Sequence, residues 1–137
     1  MPHHKDANLV TWYMCGPTVY DHSHMGHAKT YIQSDIFHRI MTDYFGYQVK
    51  MCMNITDIDD KIIIRANERK IAFDDISRNM ENEFFKDCEA LNIRLPTVIT
   101  RVSEYIPEII TFVEKIIANG FAYESNGSVY FNVIHYS

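Results

Sequence analysis

The sequence predicts an α/β fold in which parallel strands alternate with helices, and three observations predict it. Residues 9–14 and 47–54 are rich in β-branched, aromatic and other apolar side chains, as buried strands are. Residues 28–45 between them carry apolar side chains at helical spacing. A strand, a helix and a second strand in this order form a βαβ unit, whose right-handed crossover makes the two strands parallel.

The helix between the strands has both a periodic pattern and a stop signal. Apolar side chains recur at roughly helical spacing, and a glycine follows where the helix would end. The segment is therefore expected to be helical up to about residue 45. These positions are Ile32, Ile36, Ile40, Phe45 and Gly46.

Carboxylates follow the second strand. Thr56 is a candidate N-cap for a helix that begins at Asp57. Asp57, Asp59 and Asp60 then place negative charge in its first turn, where the helix dipole favours it. The same three carboxylates could bind Mg²⁺, because hard cations prefer carboxylate oxygens. Capping requires no ligand, so we favour the structural interpretation.

The third predicted helix begins at Phe73 and ends before Pro96. Its apolar side chains are three or four residues apart, so they form a stripe along one face. The stripe comprises Ile76, Met80, Phe84, Cys88 and Leu91.

A last helix and a hairpin follow. Ser103 is the predicted N-cap, Pro107 lies in the first turn, where its missing N–H costs little, and residues 119–120, Asn-Gly, end the helix. Residues 123–130 predict a hairpin, because the Asn-Gly pair at residues 126–127 supplies the positive φ angles of a type I′ turn.

Size and composition indicate one modest folded core. The chain has 137 residues, of which 47% are hydrophobic and 23% charged, as in ordinary globular proteins. No apolar run approaches the ~20 residues that span a bilayer, and no signal-peptide pattern opens the chain. Three widely spaced cysteines fit a reducing compartment. We therefore expect a cytoplasmic protein without a membrane partner, preceded by a disordered or cloning-derived tail over residues 1–8.

The charge disfavours a nucleic-acid backbone as the main partner of this segment. The net charge is −5, and phosphate contacts need clustered Lys and Arg. Arg65, Arg69 and Lys70 are the nearest approach to a basic stripe, and Glu68 interrupts them.

Residues 15–27 read CGPTVYDHSHMGH and join the carboxyl end of the first strand to the first helix. Backbone N–H groups at a helix start lack intrahelical partners, and the dipole there is positive, so a phosphate can be held. Gly26 lets the backbone approach a ligand closely, and His24 and His27 beside it would add donors. This is where α/β proteins bind nucleotides.

Residues 24–27, HMGH, resemble the His-Ile-Gly-His signature of class I aminoacyl-tRNA synthetases. With residues 15–20, CGPTVY, before it and residues 54–62, NITDIDDKI, after it, the chain resembles the cysteinyl-tRNA synthetases. The resemblance runs from about residue 10 to residue 133, and residues 89–131 are similar to the eukaryotic branch. A lone histidine step would be weak evidence, whereas the three blocks in this order are specific.

This resemblance implies the first half of a split Rossmann nucleotide-binding domain over residues 9–100. Residues 101–137 would be a helix and hairpin that lead into an inserted connective region. A nucleotide-binding sheet needs more than the two strands predicted here. The chain is therefore expected to be a truncated N-terminal part of the catalytic domain, inactive by itself.

The family also implies roles for individual residues. His24 and His27 would be catalytic, contacting the ATP triphosphate and stabilising charge that develops at the α-phosphate. ATP or the adenylate would be bound by Thr18, His24, Gly26, His27, Thr30 and Asn54. L-Cysteine would be bound by Cys15, Gly16 and Thr56.

Cys15 has two interpretations. A free cysteine taken by itself is usually a small buried hydrophobe. A thiolate at a strand end is also suited to Zn²⁺, but tetrahedral zinc needs about four donors. The resemblance implies that Cys15 is one zinc ligand, and that a cysteine, a histidine and a glutamate beyond this chain supply the others.

A metal cluster formed by His22, His24 and His27 is a further alternative, although Gly26 and the helix start favour a phosphate. The remaining cysteines and histidines are interpreted as structural: Cys52 and Cys88 in the core, and His38 and His135 at the surface or in satisfied packing contacts.

The activity that the resemblance implies is the activation of L-cysteine by ATP-Mg²⁺ and its transfer to tRNA(Cys). The tRNA would be contacted mainly outside this segment. One alternative is the related cysteine ligase of mycothiol synthesis, which adenylates cysteine but uses no tRNA. Another is a non-catalytic nucleotide-binding module.

Overall fold

The computed structural model describes residues 8–136, so the predicted tail of residues 1–8 lies outside the described residues except for Asn8. The Asn8 carbonyl accepts a hydrogen bond from the Gln48 N–H at 2.8 Å. The chain divides between Val102 and Ser103 into two units.

A parallel sheet forms the first unit, which confirms the α/β class. Its described strands are β1 (Leu9–Thr18), β2 (Gln48–Thr56) and β3 (Val98–Arg101), in the order β1-β2-β3. Its helices are α1 (Met25–Arg39), α2 (Asp60–Arg69) and α3 (Phe73–Ala90), and α1 continues as a π-helical turn over Ile40–Tyr44.

The sequence predicted two parallel strands in this region, and the third, β3, was missed. It pairs in parallel with β2, from Cys52 opposite Val98 to Ile55 opposite Arg101. A four-residue strand is too short to show an alternating pattern, and its existence depends on a neighbour distant in sequence.

The core lies between β2 and the three helices. Met53 and Ile55 of β2 are buried, and Tyr31 of α1 packs edge-on against Phe84 of α3 with ring centroids 5.0 Å apart. The other buried core residues are Val19, Ile62, Ala66, Ile76, Met80 and Cys88. The predicted stripe of α3 is confirmed at four of its five positions, and Leu91 is exposed.

Helix α1 is helical as predicted, but it does not bury its isoleucines. Ile36, Ile40 and Phe45 are 50%, 43% and 62% exposed, whereas the buried residues of α1 are Tyr31, Asp35 and His38.

Asp35 can be buried because an ion pair and a backbone hydrogen bond satisfy its two oxygens. Its Oδ2 accepts a hydrogen bond from Arg39 Nε at 2.6 Å, and its Oδ1 accepts one from the Arg94 backbone N–H at 3.0 Å. A buried carboxylate without such donors would be strongly unfavourable. Arg94 also pairs with Asp43, which ties the end of α1 to the segment before β3.

The predicted start of the second helix is wrong by three residues. Thr56 is the last residue of β2, and the N-cap of α2 is Asp59, whose carboxylate accepts from the Lys61 N–H at 2.9 Å. Asp59 is therefore engaged as a cap, as the structural interpretation of the carboxylates requires.

The second unit consists of α4 (Ile106–Ala118), the antiparallel hairpin β4 (Ala122–Ser125) and β5 (Ser128–Phe131), and the short α5 (Val133–Tyr136). Ser103 is not the N-cap, because a 3₁₀ turn over Val102–Tyr105 puts Tyr105 there without a side-chain bond. The hairpin turn is confirmed, since Asn126 and Gly127 have φ of +52° and +76°.

Candidate active site

The carboxyl ends of β1 and β2 form one side of the site. Cys15 is opposite Asn54, and the next registered pair is Thr18 opposite Thr56. Because β1 advances by three residues while β2 advances by two, β1 contains a β-bulge here. The predicted connecting loop therefore begins later than expected, since β1 continues to Thr18.

Gly16 is required by the closeness of the two strands at this bulge. A Cβ atom on Gly16 would lie 1.8 Å from the Asn54 carbonyl oxygen and 2.9 Å from Met53 Cγ. The first distance is far inside van der Waals contact, and a backbone atom cannot move aside as a side chain can. No other residue fits without separating the strands.

The Asn54 side chain bridges the bulge. Its Oδ1 accepts hydrogen bonds from the Tyr13 hydroxyl at 2.8 Å and from the Gly16 N–H at 3.1 Å. Its Nδ2 donates to Thr56 Oγ1 at 3.3 Å. Both ends of the amide are thus engaged, and one Nδ2 hydrogen remains for a ligand.

The Cys15 thiol is exposed beside this bridge. Its Sγ lies 4.0 Å from the Tyr13 hydroxyl oxygen. Desolvation of that hydroxyl, followed by its contact with Cys15, raises the pKa of Tyr13, so Tyr13 remains a protonated donor at neutral pH. Tyr13 was not singled out from the sequence, although its position two residues before Cys15 on a strand puts both on one face.

The start of α1 forms the other side of the site, and two histidines cap it. His24 is the N-cap, and its Nδ1 accepts from the Gly26 N–H at 3.0 Å. His27 Nδ1 accepts from the His24 N–H at 3.1 Å, which makes a reciprocal capping box. Since both Nδ1 atoms act as acceptors, each neutral imidazole carries its hydrogen on Nε2 and can donate it to a ligand.

The two imidazole rings lie close together, with centroids 4.1 Å apart. Desolvation, and secondly the neighbouring His24, lowers the pKa of His27 below its ordinary value. His27 is therefore neutral at physiological pH, in agreement with the acceptor role of its Nδ1.

Gly26 has a local reason as well as the predicted one. A Cβ atom on Gly26 would lie 2.8 Å from His24 Cε1 and 3.0 Å from His24 Nδ1. Glycine thus allows the His24 ring to fold back over the helix start. Thr30 lies one turn further along α1, and its hydroxyl donates to the Gly26 carbonyl at 3.0 Å.

Side chains from α2 hold the segment between β1 and α1. Arg65 forms an ion pair with Asp21, and Lys61 Nζ lies 5.2 Å from the centroid of the Tyr20 ring. Such contacts could not be found from the sequence, because they join residues about forty positions apart that no periodic pattern connects.

Tyr31 connects the two sides of the site. Its hydroxyl donates to the Cys15 carbonyl at 3.4 Å, and burial strongly raises the pKa of Tyr31, so the hydroxyl stays protonated. A cavity of about 300 Å³ opens between the first turns of α1 and the end of α3, and His24 and His27 contribute to its wall.

Several candidate residues are not brought into a metal cluster. Within residues 8–136, no three His, Cys, Asp or Glu side chains are grouped so that they could hold a metal ion. His22, His24 and His27 therefore do not form the alternative metal cluster, and His22 is exposed. The described residues thus supply Cys15 as a single thiol donor and do not by themselves fit a zinc site.

The structural cysteines and histidines are partly as predicted. Cys88 is buried, and burial raises the pKa of its thiol to about 11, whereas Cys52 is only half-buried. His38 was interpreted as a surface or satisfied residue, and this is wrong: it is buried, and its Nδ1 has no hydrogen-bond partner among the described residues. His135 is exposed and lies beside Phe121.

Each of the three signature blocks supplies one part of this site. The parts are the bulge at Cys15, the histidine cap at the start of α1, and Asn54 near the end of β2. The family model described as the catalytic domain of class I (C) tRNA synthetases matches residues 2–137. The chain belongs to this family. This membership confirms the resemblance to class I synthetases, and it is consistent with the parallel α/β sheet.

Three similar relatives of this synthetase-family chain are eukaryotic proteins. It is 61% identical over 128 residues to the cytoplasmic cysteine–tRNA ligase of Dictyostelium discoideum, covering 93% of this chain and 19% of that protein. It is 51% identical over 132 residues to the cysteine–tRNA ligase of Encephalitozoon cuniculi, covering 96% and 28%. It is 52% identical over 129 residues to a probable mitochondrial cysteine–tRNA ligase of Xenopus tropicalis, covering 93% and 23%.

The chain thus spans less than a third of the length of each of these relatives. Among the described residues, no helix is long and apolar enough to cross a membrane.

Proposed function

We propose that this chain is the N-terminal part of the catalytic domain of a cysteine–tRNA ligase. The observation that carries the proposal is the reciprocal cap of His24 and His27, which offers two Nε2–H donors at the positive end of α1. Similarity to cysteine–tRNA ligases over more than nine-tenths of the chain supports the amino acid named.

The reaction begins with activation of the amino acid. The carboxylate of L-cysteine attacks the α-phosphorus of ATP, a new oxygen–phosphorus bond forms, and the bond to the β-phosphate breaks to release pyrophosphate. His24 and His27 donate hydrogen bonds to phosphate oxygens as negative charge accumulates there. Because both rings are already fixed by backbone bonds, little reorganisation is needed at that moment.

Other residues of this segment bind the nucleotide. Gly26 exposes the helix start to the phosphates, and Thr18 lies at the end of β1 opposite Thr56. Thr30 is exposed one turn into α1, where we place a contact with the adenylate. Mg²⁺ accompanies ATP as part of the substrate.

The amino-acid side of the site consists of Cys15, Gly16 and Thr56. We assign to Cys15 one bond to a Zn²⁺ whose remaining ligands lie outside this chain. When bound, zinc would favour the thiolate form of the substrate, which distinguishes cysteine from serine. The exposed thiol at the strand end supports this role for Cys15.

The second step transfers the cysteinyl group to tRNA. A ribose hydroxyl at the 3′ end of tRNA(Cys) attacks the acyl carbon, and AMP leaves. Because the net charge is −5, we expect contacts with the tRNA backbone to lie mainly outside this segment. We place the protein in the cytoplasm, a location supported by the name of the Dictyostelium relative.

Two substitutions test the proposal in an enzyme that contains this chain and has the length of its relatives. Cys15→Ser should abolish cysteine-dependent ATP–pyrophosphate exchange while leaving ATP binding unchanged. His27→Ala should slow exchange about 10²-fold or more while zinc content stays the same. Cys52→Ser, at a half-buried thiol on the neighbouring strand, is the matched control.

Unchanged zinc content and unchanged exchange in Cys15→Ser would refute the assignment of Cys15. A wild-type enzyme that activates cysteine but transfers it to a sugar amine rather than to tRNA would refute the proposed acceptor. The 137-residue chain by itself is expected to show no exchange.

A further inference from the structure

Asn54 makes contact, directly or through Tyr13, with each of the three residues assigned to the amino-acid side of the site. Its Oδ1 holds the Gly16 N–H, its Nδ2 holds Thr56 Oγ1, and Tyr13, which donates to the same Oδ1, lies beside Cys15 Sγ. We propose that Asn54 and Tyr13 are positioning residues that fix the Cys15–Gly16 bulge for cysteine binding, an inference that rests on the proposed function.

Asn54 and Tyr13 together are called the clamp here, and the geometry of the bulge explains why it is needed. A β-bulge breaks the regular ladder, so the Gly16 N–H would have no partner from the ladder itself. Asn54 Oδ1 supplies that partner at 3.1 Å. An unpaired backbone donor at this half-buried position would favour other conformations of the bulge.

The orientation of the amide is fixed by its neighbours. Two donors, the Tyr13 hydroxyl and the Gly16 N–H, converge on one atom, which must therefore be the oxygen. The nitrogen then faces Thr56 Oγ1, so the Thr56 hydroxyl accepts from Asn54 and its own hydrogen is directed elsewhere. That hydrogen is available to a ligand at the strand ends.

Tyr13 extends the clamp to the thiol. Tyr13 as a residue is 60% exposed, so it adds little to the core. Its hydroxyl nevertheless lies 2.8 Å from Asn54 Oδ1 and 4.0 Å from Cys15 Sγ. A residue with this exposure and these polar contacts orients the site rather than stabilising the fold.

Hydrogen exchange tests the clamp without substrate or metal. In the 137-residue chain, Asn54→Ala should accelerate exchange of the Gly16 amide by about fivefold or more, because that amide loses its acceptor. Tyr13→Phe should accelerate exchange of the Gly16 amide less. Because this variant retains a ring of the same shape, it tests the clamp even where Asn54→Ala folds poorly. Asn67→Ala and Tyr44→Phe, at exposed positions away from the site, are the matched controls and should leave the Gly16 amide unchanged.

Kinetics of the enzyme at the full length of its relatives then separate positioning from nucleotide binding. Asn54→Ala should raise the KM for cysteine in pyrophosphate exchange about tenfold or more and leave the KM for ATP within about twofold. Asn54→Asp keeps an oxygen where Oδ1 lies, so it should restore most of the cysteine KM.

Each contrary result overturns the inference. A raised KM for ATP with normal cysteine KM would make Asn54 a nucleotide contact, and an unchanged Gly16 amide in Asn54→Ala would show that the clamp does not hold the bulge. Asn54→Asp as defective as Asn54→Ala would show that the oxygen is not the group that matters. A wild-type enzyme without cysteine-dependent exchange would refute the proposed function itself, and the role in cysteine binding with it, even where the Gly16 amide responds as expected.

Discussion

His24 has two roles in this site, a cap and a donor, and one pair of substitutions separates them. Its Nδ1 accepts from the Gly26 N–H, while its Nε2–H is directed away from that bond and is available to phosphate. Asparagine is among the best N-cap residues but has no group that reaches as far as Nε2. His24→Asn should therefore keep the cap and lose the donor, whereas His24→Ala should lose both.

The magnitudes follow from the two bonds. Loss of an N-cap acceptor costs about 1 kcal/mol of stability, which for a chain of this size lowers Tm by roughly 3–5 °C. Loss of one donor to a developing oxyanion costs about 10²–10³-fold in rate. We therefore expect a lower Tm in His24→Ala alone, and slower pyrophosphate exchange in both variants.

Thermal unfolding of the 137-residue chain measures the first effect, and exchange by the longer enzyme measures the second. The reasoning is refuted if His24→Asn is destabilised as much as His24→Ala, because the cap would then not depend on a side-chain acceptor. It is equally refuted if His24→Asn exchanges pyrophosphate at the wild-type rate.

Three further predictions concern stability. Gly16→Ala should cost about 3 kcal/mol in urea unfolding, the upper part of the range for overpacking, because its Cβ meets a backbone oxygen; a cost below that of Gly120→Ala would contradict the close approach. Glu81→Gln should destabilise by about 2 kcal/mol, since the buried Glu81 carboxylate binds the Arg101 guanidinium through two of its nitrogens. Glu83→Gln, in a solvent-screened pair with Lys86 on the same helix, is the control and should change stability far less; an equal loss in both variants would contradict the role of burial. The pKa of His27 is lowered in the folded state, so the unfolded chain binds more protons near and below pH 6.5. The free energy of unfolding should therefore fall as pH drops from 7.5 to 5.5. His27→Gln keeps a capping acceptor but does not titrate, so it should flatten that slope, and an unaltered slope would contradict the role of His27.

The sequence by itself determined the features that depend on neighbouring residues. Helix α3 and its buried stripe follow from side chains three or four positions apart, and the hairpin turn follows from the Asn-Gly pair at residues 126–127. The order of the signature blocks determined the family, since it depends on residue identity alone.

Features that join distant segments were decided only by the tertiary structure. Strand β3 exists because β2 pairs with it. Helix α1 buries Asp35 rather than Ile36 because the carboxylate binds the Arg39 guanidinium and the Arg94 backbone N–H. The start of α2 was likewise misplaced, because β2 extends through Thr56 when its neighbour does. The pairing energy between two strands cannot be inferred from the sequence of either strand alone.

The candidate site shows the same division. The residue types at Cys15, His24 and His27 could be singled out from the sequence, because a thiol and two histidines around a glycine at a helix start have few structural uses. Only glycine fits at residue 16, against the Asn54 carbonyl, and Asn54 connects Tyr13 to Thr56. Both features depend on a bulge that shifts the register of two strands about forty residues apart in sequence. Local propensity determines which elements form, whereas contacts between those elements determine where each functional atom lies.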